Sequence, residues 1–224
     1  MNKIYYSAVI FDVDGLMLDT ERIASGIWKQ IIHEHGHVLK DELYYQLIGR
    51  TCRDTEDILK SEYGDNFPVT TAYNKRIKYF EDYAENHGIP QKPGLDDLLQ
   101  YLDSVHARKA VATSTSRKAA ELKMIKGLIR HHFDVVVCGD EVANGKPEPD
   151  IFLRAAELLG VKPDGCVVLE DSEAGIRAAH KAGMIPIMVP DMIKPSPEVQ
   201  DMTYAIADSL RDVKDLLHTQ FILN

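Results

Sequence analysis

The sequence predicts an α/β protein in which an open, doubly wound parallel sheet carries an all-helical insertion. Short apolar runs of strand length alternate with longer segments of helical periodicity over most of the chain, as in parallel strands joined by right-handed helical crossovers. The apolar runs are too continuous for strands with one exposed face, so we expect strands buried on both faces. With 224 residues, of which 45% are hydrophobic, the chain can bury a core without disulfide bonds.

Six strands and five helices are predicted for this α/β part. The strands are short and mainly apolar, and they comprise Ile4–Phe11, Lys109–Thr113, Phe133–Cys138, Cys166–Glu170, Met184–Val189 and Tyr204–Ala207. The helices follow the period of 3.6 residues and comprise Leu95–Val105, Arg117–Leu128, Asp150–Leu159, Ala174–Ala182 and Ser209–Leu217.

The alternation of strands and helices stops between Thr20 and about Gly88, where no strand-like run occurs. Helical periodicity continues there in four segments, Ile23–His35, Asp41–Ile48, Arg53–Tyr63 and Thr71–Glu85. Glycine and proline residues on either side of this interval stop regular structure. We therefore expect a helical domain at residues 17–90, inserted into a discontinuous α/β core formed by residues 1–16 and 91–224.

The net charge of the chain restricts the kinds of molecule that it is expected to bind. A net charge of -9 opposes binding to nucleic acid and to anionic membranes. The first residues lack the pattern of a signal peptide, and no apolar stretch reaches transmembrane length. We therefore expect a cytoplasmic monomer that acts on a small molecule.

The three cysteines, Cys52, Cys138 and Cys166, are too dispersed for a disulfide framework or a zinc site, so we expect buried thiols.

Polar residues follow four of the predicted strands, at the edge where an open parallel sheet binds ligands. They are Asp12 and Asp14 after the first strand, Thr113 and Ser114 after the second, Lys146 beyond the third, and Glu170 and Asp171 after the fourth. Each cluster alone has an ordinary explanation, such as a turn at "DVDG", a solvated loop lysine, or helix caps at Ser116 and Ser172. Their convergence on one edge favours a binding site.

Four carboxylates in one place repel one another unless a cation holds them ionised, and Mg2+ prefers such oxygen ligands. A calcium loop does not fit, because Leu16 and Met17 stand where it requires a ligand and a glycine, and "GKPEP" lacks the features of a P-loop. The Thr113 hydroxyl and the Ser114 backbone N–H are placed to bind a phosphate oxygen. Carboxylates, a metal, a lysine and a hydroxyl together indicate phosphoryl transfer to a carboxylate.

The segments "FDVDG", "TS", "GKPEPDIF" and "LEDSEAGIRAAHKAG" resemble, in their order and strand positions, the motifs of haloacid dehalogenase-like phosphohydrolases. The helical insertion directly after the first motif resembles that of the β-phosphoglucomutase-like branch of this family. The resemblance implies a Rossmann-like core with a helical cap, Asp12 as the nucleophile and Asp14 as the general acid and base. The residues that it implies for the phosphoryl group are Thr113 and Lys146, and those for Mg2+ are Asp12, the backbone carbonyl of Asp14, Asp171 and, as a supporting ligand, Glu170.

Within this resemblance we expect a phosphatase of small metabolites, sugar phosphates first. Haloacid dehalogenation needs neither the second aspartate nor a metal, so the acidic clusters argue against it. β-Phosphoglucomutases carry a histidine in the stretch after "DT", and Ala24 stands at or near that place. A mutase that interconverts β-glucose 1-phosphate and glucose 6-phosphate stays open as the alternative, as does a phosphometabolite-binding module without catalytic activity.

Substrate choice is expected to lie with the inserted helices, because the core contacts only the phosphate. The candidates are Glu21, Gly49 and Arg50, followed by the basic residues Lys75, Arg76 and Lys78. Each has an ordinary alternative, such as an ion pair at a hinge or a solvated helix face. Trp28 is expected to pack in the core of the helical domain.

Overall fold

A computed structural model of the protein describes residues 3–48 and 52–224. The chain divides into two units, Met1–Leu18 with Pro90–Asn224, and Asp19–Ile89. The first unit combines a parallel sheet with helices, and the second contains only helices among its described residues. The predicted fold class, α/β with an all-helical insertion, is confirmed.

The main sheet has six parallel strands, which are β2 (Ala8–Phe11), β3 (Arg108–Thr113), β4 (Val135–Cys138), β5 (Cys166–Glu170), β6 (Ile185–Met188) and β7 (Ala205–Ile206). Their order in the sheet is β4-β3-β2-β5-β6-β7. The chain runs outwards from β2 through β3 to β4, and then returns to the other side of β2 with β5. This reversal makes the carboxyl end of β2 a topological switch point, where open α/β sheets bind their ligands.

The register of the sheet brings the polar positions of neighbouring strands level at that point. Phe11 pairs with Val111 of β3 and with Leu169 of β5. The residues that follow, Asp12 and Glu170, therefore leave their strands side by side.

Six helices accompany the sheet: α5 (Leu95–Ser104), α6 (Arg117–Lys126), α7 (Asp150–Leu159), α8 (Glu173–Lys181), α9 (Pro197–Met202) and α10 (Leu210–Gln220). Strands β2, β3 and β5 are buried on both faces, as the continuous apolar runs predicted. One core cluster joins these strands to α7 and α8 and includes Ile10, Val168, Phe152 and Ala178. Cys138 and Cys166 are buried free thiols, as expected, and burial raises the pKa of each to about 11.

The predicted first strand, Ile4–Phe11, was wrong as a single element. It forms two strands, β1 (Ile4–Tyr6) and β2, and β1 pairs with a C-terminal strand, β8 (Phe221–Leu223), in a separate two-stranded sheet. Between them the Ser7 backbone N–H bonds to the Gly165 carbonyl at 2.7 Å. A continuous apolar run does not reveal where a chain passes from one sheet to another, and the short elements β8 and α9 were not predicted.

The helical unit contains α1 (Thr20–Glu34), α2 (Asp41–Leu47), α3 (Cys52–Tyr63) and α4 (Val69–His87). Helix α1 packs along α4, where the Trp28 and Tyr73 rings meet edge to face with centroids 6.2 Å apart. Helices α1 and α4 begin three and two residues earlier than predicted, at Thr20 and Val69, which are both buried. Among the described residues, no helix has both the length and the apolar character needed to cross a membrane.

Candidate active site

Lys146 lies at the centre of the polar cluster at the switch point. Its Nζ atom is 2.6 Å from Asp12 Oδ1 and 2.5 Å from Glu170 Oε1, and it donates a further hydrogen bond of 3.0 Å to the Ala112 carbonyl. The lysine side chain is 4% exposed, Asp12 is 9% exposed and Glu170 is fully buried. The three predicted residues therefore form one buried ionic cluster, and the Phe152 ring lies 5.0 Å from the ammonium group.

Burial raises the pKa of Asp12 to about 7, against the lowering effect of Lys146 and with further increases from Glu170 and Asp14. Burial alone would lower the pKa of Lys146, but Asp12 and Glu170 together raise it above the ordinary lysine value. One ammonium group thus balances the charge of one buried carboxylate. With a pKa of about 7, Asp12 needs a further cation nearby to be fully ionised at neutral pH.

Glu170 is held by the start of helix α8 as well as by Lys146. Its Oε2 atom accepts hydrogen bonds from the Ser172 backbone N–H at 3.1 Å and from the Ser172 hydroxyl at 2.8 Å. Ser172 caps α8 as predicted, by accepting from the Gly175 backbone N–H. A Cβ atom at Gly175 would lie 1.9 Å from the Glu170 carboxyl carbon, so only glycine leaves room for this carboxylate.

The segment after β3 supplies hydroxyl groups next to this cluster. Thr113 is buried at the end of the strand, and its hydroxyl accepts a hydrogen bond of 3.2 Å from the Thr115 backbone N–H. Ser114 is exposed. Ser116 occupies the N-cap position of α6 but makes no side-chain capping bond. Instead the Arg117 backbone N–H bonds to Asp140 at 2.9 Å, which corrects the prediction that Ser116 caps this helix through its hydroxyl.

Asp14 is held by two residues that the sequence reasoning missed. Lys123 Nζ of α6 lies 2.7 Å from Asp14 Oδ1, and the Thr115 hydroxyl donates to Asp14 Oδ2 at 2.7 Å. Lys123 also lies 3.3 Å from the Thr115 hydroxyl oxygen. Lys123 sits inside a segment that shows only helical periodicity, so no motif singled it out.

The backbone at Gly15 passes directly against Asp171. Gly15 has a φ of +77°, and a Cβ atom there would lie 2.2 Å from Asp171 Oδ2 and 3.5 Å from Asp191 Oδ2. Asp191 also pairs with Lys92 at 2.5 Å, which offsets its charge. Neither Lys92 nor Asp191 was predicted, since they lie 99 residues apart in the chain.

These surroundings fit Mg2+. Asp12 and Asp171 follow adjacent strands, and the Asp14–Gly15 backbone lies against Asp171. Burial raises the pKa of Asp12, and the nearby carboxylates of Glu170 and Asp14 raise it further. Within residues 3–48 and 52–224, no three Asp, Glu, His or Cys side chains form a metal site by themselves. The ion would therefore need the Asp14 carbonyl and water as further ligands, as Mg2+ commonly does.

The helical unit has a polar cavity of its own, of about 90 Å³. Glu21, Tyr44, Trp28 and Arg76 are among its lining residues. The Tyr44 hydroxyl lies 2.9 Å from Glu21 Oε2, and the Arg76 guanidinium lies over the Trp28 ring at 5.9 Å. Among the described residues, the buried Arg76 Nε has no hydrogen-bond partner.

The other predicted specificity residues have mixed outcomes. Lys75 pairs with Glu34 and lies over the Tyr79 ring, as a surface helix face would. Trp28 is buried as expected, yet it also lines the cavity. Gly49 and Arg50 lie outside the residues that the structure describes, so their role stays a prediction.

Comparisons with known proteins identify the family and the fold. Residues 9–189 match the model of the haloacid dehalogenase-like hydrolases. A phosphorylated carbohydrates phosphatase from Thermotoga maritima is 31% identical over 212 residues, which cover 94% of this chain and 89% of the relative. A probable pseudouridine-5'-phosphatase from Drosophila melanogaster is 34% identical over 92% of this chain and 90% of its own length. The crystal structure of a putative β-phosphoglucomutase from Thermotoga maritima superposes with a TM-score of 0.80 at 27% identity, covering 95% of this chain and 98% of that chain.

Proposed function

We propose that this chain, which belongs to the haloacid dehalogenase-like hydrolase family, is a Mg2+-dependent phosphatase of small phosphorylated metabolites, sugar phosphates above all. The family and the named phosphatases among its relatives establish the class, a phosphoric monoester hydrolase. The metal, the substrate and the covalent intermediate are our proposal. The observation that carries it is the contact of Lys146 Nζ with Asp12 Oδ1, 2.6 Å long, at the switch point of the sheet.

In the first step, an Asp12 carboxylate oxygen bonds to phosphorus while the bond from phosphorus to the sugar oxygen breaks. Asp14 gives a proton to that leaving oxygen. Lys146, the Thr113 hydroxyl and the Ser114 backbone N–H bind the phosphoryl oxygens as negative charge builds on them. The buried position of Lys146 strengthens this effect, because water does not screen its charge.

In the second step, the oxygen of a water molecule bonds to phosphorus and the bond to Asp12 breaks. Asp14, which lost its proton in the first step, takes one from this water. Inorganic phosphate leaves, and both aspartates return to their starting states.

Asp12, the backbone carbonyl of Asp14 and Asp171 would hold Mg2+. When bound, Mg2+ would offset the charge of the phosphoryl oxygens and of the crowded carboxylates. Glu170 was expected as a supporting ligand. Both of its oxygens accept hydrogen bonds from Lys146 and Ser172, so we assign it the task of holding Lys146 in place.

The cavity of the helical unit supports a sugar phosphate as the substrate. Glu21 offers an acceptor, Arg76 Nε offers a donor that has no partner among the described residues, and Trp28 offers an apolar face. This mixture suits the hydroxyls and C–H faces of a sugar. The Thermotoga maritima relative is a phosphorylated carbohydrates phosphatase.

Phosphate release from a panel of phosphorylated sugars, polyols and nucleotides tests the proposal, with Mg2+ or with EDTA. We expect Mg2+-dependent release that is fastest for a sugar phosphate, and none from Asp12→Asn with an unchanged circular dichroism spectrum. No release from any member would favour a non-catalytic binding module. Substantial activity in Asp12→Asn would remove Asp12 as the nucleophile.

A mutase is the second candidate, because the putative β-phosphoglucomutase from Thermotoga maritima superposes on this chain with a TM-score of 0.80. Ala24 is buried in α1 and lines the cavity, and its methyl group cannot move a proton as a histidine there could. Incubation with β-glucose 1-phosphate and a bisphosphate primer separates the two functions. Glucose 6-phosphate formed faster than free phosphate would favour the mutase.

A further inference from the structure

The carboxylate of Asp14 is fixed on both of its oxygens by two different segments of the core. Lys123 from α6 contacts Oδ1 at 2.7 Å, and Thr115 from the loop after β3 donates to Oδ2 at 2.7 Å. The lysine nitrogen and the hydroxyl oxygen are themselves 3.3 Å apart, so each of the three groups contacts the other two. A carboxylate held on both oxygens loses its freedom to rotate.

This cluster differs from an ordinary surface ion pair. The Lys123 side chain is 15% exposed and that of Asp14 is 21% exposed. In the surface pairs Arg154–Glu157 and Lys181–Glu148, by contrast, the side chains are between 45% and 68% exposed. Exposed pairs contribute little and are screened by solvent. Helix α6 is in turn anchored by Ala120 and Met124, which are fully buried, so Lys123 extends from a fixed support.

We propose that Lys123 and Thr115 are positioning residues, which hold the Asp14 carboxylate in the orientation that proton transfer to the leaving sugar oxygen requires. This inference rests on the proposed function. The two residues act through Asp14 and do not touch the substrate. They affect the rate of the steps in which Asp14 moves a proton. A general acid must lie within hydrogen-bond distance of the atom that it protonates, and a small displacement lowers the rate strongly.

The test compares two phosphate esters that differ in their need for a proton. A sugar phosphate releases an alkoxide, which must be protonated, whereas p-nitrophenyl phosphate releases a stable phenolate. The value of kcat/KM reports the first step, in which Asp12 takes the phosphoryl group. For Lys123→Met we expect kcat/KM to fall about 10–100-fold with the sugar phosphate and by no more than about threefold with p-nitrophenyl phosphate.

Further variants separate positioning from a general loss of structure. Lys123→Arg should recover most of the activity on the sugar phosphate, because it restores a donor to Asp14. Thr115→Val, which keeps the side-chain shape, should show a smaller loss with the same preference for p-nitrophenyl phosphate. Lys126→Met removes the same charge one turn further along α6 and should leave the ratio of the two kcat/KM values unchanged.

Equal losses on both esters in Lys123→Met would overturn this inference and indicate a structural role alone. An unchanged kcat/KM on the sugar phosphate would overturn it as well, because Asp14 would then need no support from Lys123. In both cases the wild-type enzyme remains active, so the proposed phosphatase function would survive. A wild-type protein that releases phosphate from neither ester would instead overturn the proposed function, and this inference with it.

Discussion

Replacing Lys146 by methionine should destabilise the protein and abolish catalysis for two separable reasons. The substitution keeps most of the side-chain volume and removes the ammonium group that contacts Asp12, Glu170 and the Ala112 carbonyl. It leaves Asp12 and Glu170 buried side by side without that positive charge between them.

The size of the effect follows from burial. The side chains of Lys146, Asp12 and Glu170 are 4%, 9% and 0% exposed, so solvent does not screen the attraction between the lysine and the carboxylates. Removing one partner of a buried ion pair typically lowers the free energy of unfolding by about 3–5 kcal/mol. We expect a loss in this range at pH 7.5, together with a decrease of about 1000-fold or more in kcat, because the phosphoryl oxygens lose a buried cation.

Urea denaturation and phosphate release measure the two effects, each with EDTA and with Mg2+. The double variant Lys146→Met, Glu170→Gln provides the control, since it also removes one of the two buried carboxyl groups that are left without the ammonium group. We expect it to regain about half of the lost free energy of unfolding and none of the lost activity. An exposed lysine that pairs with Glu148, Lys181, provides a matched Lys→Met variant, with an expected loss of about 0.5 kcal/mol or less.

Two results would refute this reasoning. A Lys146→Met protein whose free energy of unfolding stays within about 1 kcal/mol of the wild type would show that the cluster is less buried or less charged than inferred. A double variant that regains activity along with stability would show that the lysine serves folding and not phosphoryl transfer.

Three further predictions concern glycines and the nucleophile. Gly175→Ala places a methyl group 1.9 Å from the buried Glu170 carboxyl carbon at the end of β5. In urea denaturation, its free energy of unfolding should be about 2–3 kcal/mol lower than that of the wild type. Gly26→Ala, with open space around it, should leave the free energy of unfolding unchanged or raise it. Gly15→Ala should raise the Mg2+ concentration for half-maximal activity about tenfold, whereas Gly36→Ala, at a similar φ but in open space, should leave it unchanged. Burial raises the pKa of Asp12 to about 7 in the fold, so in EDTA the folded state keeps a proton that the unfolded state loses above about pH 4. Thermal stability should therefore fall between pH 4 and 7 more steeply for the wild type than for Asp12→Asn, and equal slopes would contradict the raised pKa.

The core of the candidate site could be predicted because its residues stand at the ends of apolar strands. Asp12, Glu170 and Asp171 each follow such a run directly, and a parallel sheet places strand ends of this kind at one edge. Lys146 was predicted because it lies in a motif between two recognisable elements. These inferences needed only local sequence and the chain order of strands.

The features that were not predicted from the sequence depend on contacts between segments that are distant in the chain. The apolar run from Ile4 to Phe11 looks continuous, and only its pairing with residues 221–223 shows that it serves two sheets. Likewise the capping of α6 by Asp140 in place of Ser116 depends on where the loop after β4 passes. Local propensity gives no information about such neighbours.

The sequence by itself determined the fold class, the helical insertion, and the carboxylates and lysine of the site, since these follow from periodicity and from residues at strand ends. The tertiary structure decided what holds those residues. Lys123 reaches Asp14 across 109 residues, and Gly175 makes room for the Glu170 carboxylate by lacking a side chain. A helical period shows that a residue lies on a helix, but the partner of its side chain is fixed only when strands and helices pack in three dimensions.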